Sequence, residues 1–220
     1  MGRLRTFYGS MVGKKVVMGI TGLIWIGFVV AHSLGNLLVF RGPAAINSYS
    51  RFLKSTGELL WTLRVVLFVA LVLHVIAAIQ LTRQSRAARP IGYAKRETQV
   101  ATISSRTMRW GGALLLVFVV VHILHFTTGT IRPAGAFSRE DVYANVVSSF
   151  RIWWVALFYV VAMIALGLHL FHGAWSSMRS IGVSPASPQP LHRKLSLVIA
   201  LFVWAAFTAV PVAVFSAIVR

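Results

Sequence analysis

The chain has 220 residues, 57% of them hydrophobic, with 22 Lys and Arg against four Asp and Glu and no cysteine. A mean hydropathy of +0.77 comes from apolar runs of roughly 18 or more residues, which a soluble core of this size does not need. The net charge of +18 invites a nucleic-acid partner, but the basic residues fall between the apolar runs, where the positive-inside rule expects them; the lack of cysteine removes thiolate metal sites, thioether-attached haem and disulfides.

The polar start carries Arg3, Arg5, Lys14 and Lys15. It leads into a first span at about 16–40, which holds HSLGN in place of a small-residue cleavage site and so reads as a span and not as a cleavable leader. A polar loop with Arg41, Pro43 and Asn47 follows, then SRFLKSTGELLW (50–61), whose pattern suits a short amphipathic helix on the membrane surface. A second span lies at about 61–81. The stretch 82–109 is the longest polar segment and the most basic, with Arg83, Arg86, Arg89, Lys95, Arg96, Arg106 and Arg109. A third span at about 110–128 is followed by a loop, 130–149, carrying Glu140 and Asp141. A fourth span at about 152–175 leads through the Pro/Ser-rich SIGVSPASPQPLHRK to a fifth at about 195–218. The fold class expected is an all-α integral membrane protein: five transmembrane helices in one membrane domain, 1–220, because lipid leaves only helices and closed barrels.

Charge orients the bundle. With the N-terminus inside, the inner segments hold about two-thirds of the basic residues, and three of the four acids (Glu58, Glu140, Asp141) lie outside. The N-terminus is therefore expected in the cytoplasm.

Four spans each carry a histidine inside an apolar run: His32 in GFVVAHSLGNLLVF, His74 in VVLFVALVLHVIAAIQ, His122 in LLLVFVVVHILHF and His169 in VVAMIALGLHLFHGAW. An ionisable side chain in hydrocarbon costs a few kcal/mol and points to function. At roughly 1.5 Å per residue, His32 and His122 fall at one depth as an outer pair, and His74 and His169 at another as an inner pair. The two levels should lie roughly 10–15 Å apart. Two opposed imidazoles at one depth are what a six-coordinate haem requires, so two b haems, one per pair, are expected. A single buried histidine in a membrane helix is more often an interhelical hydrogen-bond partner; four, paired by depth, are harder to explain so. Zinc fits poorly, since no carboxylate or thiolate accompanies the rings. Each ring's second nitrogen needs an acceptor, a helix carbonyl or a Ser/Thr hydroxyl.

Other residues leave alternatives open. His125 and His172 stand one turn beyond His122 and His169 on the same face; each is a substitute ligand, a propionate partner or part of a quinone pocket. Arg64 and Arg151, at the outer ends of their spans, either snorkel to headgroups or pair with outer propionates, and Arg106 and Arg109 are the matching inner candidates. His192 reads as a solvated loop residue. Gly19, Gly22, Gly27, Gly111, Gly112, Gly167 and Gly173 read as helix-packing positions that would equally clear space for a porphyrin face. Tryptophans near span ends form an interfacial belt. The fifth span, without an ionisable residue, is structural.

AHSLGN around His32, LVLHVIAA around His74, RWGGALLLVFVVVH up to His122, GLHLFHGAWSS around His169 and the later RSIGVSP together resemble the cytochrome b membrane anchor of succinate:quinone oxidoreductases (succinate dehydrogenase or fumarate reductase), of the kind with one five-helix anchor and two haems. The interval from His32 to His74 and the arrangement His169, Gly173, Trp175 are similar to that family's, and the match runs over essentially the whole chain. The resemblance implies His74 and His169 on the haem nearer the soluble subunits and His32 and His122 on the distal one. It also implies an FAD flavoprotein that interconverts succinate and fumarate and an iron–sulfur subunit, both on the cytoplasmic face of a bacterial inner membrane, docked against the basic inner loop. Quinone, commonly menaquinone in this group, would exchange electrons near one haem, with Glu58 a candidate for handling its protons.

The function expected is electron transfer with no succinate chemistry on this chain. A wire across the membrane would let the membrane potential assist reduction of menaquinone, with ligand basicity, neighbouring charge and burial tuning each haem. The competing readings are a di-haem anchor of a nitrate reductase, formate dehydrogenase or hydrogenase, and a haem-free transporter or structural anchor. Transporters usually show broken helices or intramembrane carboxylates, and the sequence has no such signature.

Overall fold

A computed structural model describes residues 2–88, 103–183 and 190–220. All regular structure among them is helical: α1 (Gly2–Gly9), α2 (Met11–Asn36), α3 (Pro43–Ser55), α4 (Glu58–Ala87), α5 (Ile103–His122), α6 (Val142–Phe150), α7 (Trp153–Ser180) and α8 (Pro190–Phe215). A 3-10 turn, Leu37–Arg41, extends α2, and a π-helical turn, Ile123–Thr127, extends α5. Five segments are long and apolar enough to cross a membrane: Met11–Arg41, Glu58–Ala87, Ile103–Thr127, Trp153–Ser180 and Leu191–Phe215. Large apolar side chains such as Phe68, Trp110, Leu157 and Val198 are exposed on their outer surfaces, a distribution that lipid satisfies and water would not. The chain is a multi-pass, all-helical membrane protein.

Local chemistry sets the breaks. The Ser10 hydroxyl accepts the Gly13 N–H at 2.9 Å and caps α2, while a Cβ on Gly13 would fall 2.0 Å from the Phe7 carbonyl oxygen, so this corner admits no side chain. Pro43 begins α3 after Gly42, whose φ of 91° suits glycine. The surface helix expected over 50–61 lies instead at Pro43–Ser55, because Gly57 at φ 51° ends the run. Glu58 therefore opens α4, where its charge complements the helix N-terminus. The expected loop 130–149 contains α6, capped by Asp141, whose carboxylate accepts the Ala144 N–H at 2.9 Å. Arg83 and Arg86 continue α4 beyond the expected end of the second span. Arg89, Lys95, Arg96, Glu97 and the Pro/Ser-rich residues 184–189 lie outside the described residues.

α7 forms the centre, packed against α8, α5 and α2, and α2 in turn packs against α4 and α8. Small residues set these distances: a Cβ on Gly19 would touch Ser177, Ser180 and Ile181 at 3.5–3.6 Å, and one on Gly167 would press Trp204 at 3.3 Å. On α8, Ala200, Val203, Ala206, Val210 and Ala213 make one buried face. At the end where α2 finishes, termed outer for reference, α3 and α6 close the bundle. Asn47 donates to the Asp141 carboxylate at 3.0 Å and accepts the Tyr143 N–H at 3.1 Å. The Ala144 N–H and then Asn47 hold the Asp141 carboxyl below the usual carboxylate range. Below this cap, Val39, Ile46, Phe118, Val147, Phe150 and Val155 form one apolar cluster.

Candidate functional site

Three helices measure the height between the histidine levels. On α2, Thr21 and Gly22 adjoin His74 and His32 follows about eleven residues later, roughly 16 Å along the axis. On α7, Tyr159 adjoins His122 and His169 follows about ten residues later, roughly 15 Å. On α5, Gly112 adjoins His169 and His122 follows after the same interval.

At the outer level the rings of His32 and His122 face each other with centres 5.9 Å apart and planes inclined by 76°. At the inner level His74 and His169 are 6.2 Å apart, inclined by 56°. Neither α2 with α5 nor α4 with α7 is among the closely packed helix pairs, so each imidazole pair joins helices whose main contacts lie with others. An iron between two imidazoles needs ring centres roughly 6 Å apart, from two metal–nitrogen bonds of about 2 Å and about 1 Å from each nitrogen to its ring centre. Both pairs meet that spacing.

The second nitrogens are treated unequally. His74 Nδ1 lies 3.2 Å from Thr21 Oγ1. The Thr21 hydroxyl shares its proton between the Val17 and Met18 carbonyls at 2.8 and 3.1 Å, so its oxygen accepts from His74, leaving the Nε2 lone pair free. His122 Nδ1 lies 3.4 Å from the Tyr159 hydroxyl. His32 stacks on Phe28, with ring centres 5.3 Å apart and planes 10° from parallel. His169 Nδ1 is buried without a hydrogen-bond partner among the described residues, as are Trp25 Nε1, Trp175 Nε1, Thr208 Oγ1 and one amide oxygen each of Gln80 and Gln84. Orphaned buried polar atoms are rare in native proteins, and of these only the His169 nitrogen belongs to one of the four paired rings. Gly27, Gly111 and Gly173 have nothing within 4 Å of a Cβ position.

The remaining candidates separate. His125 is buried with both nitrogens engaged, Nδ1 at 3.0 Å from Tyr159 Oη and Nε2 at 2.9 Å from Ser149 Oγ; it has no nitrogen to spare for a metal or a propionate. His172 is half-buried on α7, one turn inward of His169. Arg64 is exposed and lies over the Trp61 ring at 5.0 Å, while Arg151 is exposed at the end of α6. Arg106 and Arg109 are exposed on the first turns of α5, and Glu58 is exposed on the first turn of α4. His192, expected in a loop, sits half-buried in the first turn of α8. Thr21, Tyr159 and Ser149 are partners that the sequence did not single out. One signal was present: a lone hydroxyl in an apolar run, set at the depth of a histidine on another span.

Among the described residues no three His, Asp or Glu side chains gather as a bare metal ion would require. A haem asks for two opposed ligands, and the spacing of each imidazole pair fits that requirement. Compared with known proteins, the chain matches no family model, no curated protein sequence and no solved structure.

Proposed function

We propose that this chain is the di-haem cytochrome b membrane anchor of a succinate:quinone oxidoreductase, passing electrons between an iron–sulfur subunit and a membrane quinone. One observation carries the reading: two pairs of imidazoles, with ring centres 5.9 and 6.2 Å apart, come together from different helices at two heights. When bound, two b haems would supply one-electron exchange at those heights. The chain's own part is to present the ligands. His32 with His122 would hold one haem, and His74 with His169 the other. Thr21 keeps His74 in the tautomer with a bare Nε2, and the apolar spans keep both pairs in a low-dielectric surrounding. In this reading the N-terminus faces the cytoplasm of a bacterial inner membrane, where the FAD and iron–sulfur subunits dock against the basic residues between the second and third spans. Menaquinone is the exchangeable substrate.

The test is a reduced-minus-oxidised visible spectrum of the full chain in detergent, with haem counted per chain. Two haems with b-type bands are expected; none would overturn the reading. Co-purification then tests the partners: FAD and iron–sulfur subunits with succinate-dependent haem reduction support the assignment. Haem with other soluble subunits would keep the cytochrome and replace the complex.

A further inference from the structure

Beneath the outer cap four side chains form one line of hydrogen bonds: Ser149 Oγ to His125 Nε2 at 2.9 Å, His125 Nδ1 to Tyr159 Oη at 3.0 Å, and Tyr159 Oη to His122 Nδ1 at 3.4 Å. His125, Ser149 and Tyr159 are all buried, at 4%, 4% and 6% exposure. The π-helical turn carries His125 into this line, and such turns recur at functional positions. Phe126 stacks on His125 with ring centres 4.0 Å apart, and Phe118 and Phe150 press their edges on Tyr159, so neither ring is free to leave.

A phenol hydroxyl has one proton to donate. If it goes to His125 Nδ1, then His125 carries its proton on Nε2 and donates to Ser149. Tyr159 then accepts from His122 Nδ1–H, which leaves His122 Nε2 bare. If it goes to His122 Nδ1, both imidazoles reverse: His122 is protonated on Nε2, and His125 donates from Nδ1. In either direction the two histidines hold opposite tautomers, and only the first lets His122 Nε2 serve as a ligand.

We propose that Tyr159 is the positioning residue of the outer pair, coupling the tautomer of His122 to that of His125 so that the His125 Nε2–H bond to Ser149 and a bare His122 Nε2 occur together. The ligand part rests on the haem reading above; the coupling itself does not. Accepting from Nδ1–H also raises the basicity of a ligating imidazole, which favours the oxidised metal.

Histidine nitrogen NMR on the full chain, with 15N-labelled imidazoles, tests the coupling with or without haem. Opposite tautomers at His122 and His125 are expected, and Tyr159→Phe should abolish that relation; identical tautomers in the wild type, or no change in the variant, would overturn the proposal. In haem-loaded protein, Tyr159→Phe should raise the midpoint potential of one haem and alter its low-spin EPR signal while leaving the other unchanged. Ser149→Ala, which keeps the tyrosine, should shift the same haem less and in the same sense, and serves where Tyr159→Phe fails to assemble. Two haems with unmoved potentials in both variants would sink the positioning role. A chain that binds no haem but shows opposite tautomers would sink the function and leave the coupling standing.

Discussion

The outer and inner histidine pairs share a spacing and differ in almost everything around it. The outer pair lies among rings: Phe28 and Phe207 against His32, and Phe118, Phe126 and Tyr159 against His122. The inner pair lies among small and polar residues: Thr21 and Gly22 beside His74, Gly112 beside His169. A cleft of about 300 Å³ between α5 and α7 reaches His169 through Gly111 and Leu168. Packing therefore fixes the outer rings, whereas backbone clearance and one threonine fix the inner ones. Side-chain interlocking of the first kind tolerates little change in volume; clearance of the second kind depends on residues having no bulk at all.

That contrast can be broken at several strengths. On the proposed function, the largest effect belongs to the four paired histidines: His74→Ala should remove one haem and keep the other, and His122→Ala should do the converse, read as haem per chain and as loss of one of two potentials. Loss of both would mean that the levels are not independent; loss of neither would mean that the ligand is misassigned. Next is crowding. A Cβ on Gly22 stands 3.5 Å from His74 Cε1, so alanine is tolerated while Gly22→Leu must displace the ring. Overpacking of this kind costs about 1–3 kcal/mol, and only the inner haem should be lost. Smaller again is Thr21→Val, which removes the hydroxyl beside His74 Nδ1 and on the same reading should weaken inner-haem affinity by up to about 10–100-fold, with outer-haem affinity unchanged in the same titration. The smallest lies in the cap, away from both pairs. Asp141→Ala should cost about 1 kcal/mol of thermal stability. Because the folded carboxyl titrates below its ordinary value of 3.8, its contribution is complete above that pH and fades as pH falls through the folded value. The gap between wild type and variant in thermal melts should close in acid and persist at neutral pH.

Much of the fold was legible because hydrocarbon imposes a one-dimensional demand: about 20 apolar residues per crossing. The five spans follow from that alone, with ends displaced by a few residues where polar helix turns such as Arg83–Arg86 continue past the apolar run. The short helices were harder. α6 begins in a polar segment whose one clear signal is Asp141 as a cap, and α3 is bounded by Gly42 and Gly57, whose φ angles no periodicity reveals. The four paired histidines stood out because each is the exception in its run. Tyr159 did not, since an aromatic residue in an apolar span reads as packing, and only the register of α7 against α5 gives its hydroxyl two imidazoles. Thr21 was hidden in the same way by the register of α2 against α4. The surroundings of His125 were hidden for the opposite reason: spacing puts it beside His122, but the π-helical turn and the partners on α6 and α7 engage both of its nitrogens.

The interval on α2 between Gly22 and His32 has a consequence for how such a chain can change. It is one uninterrupted rod, so lengthening it by a single residue would turn everything beyond the insertion by about 100° and swing one level out of line while the other kept its place. Substitutions along the rod are graded in effect; insertions and deletions are not. The distance between the two levels is in that sense a quantised property of the molecule.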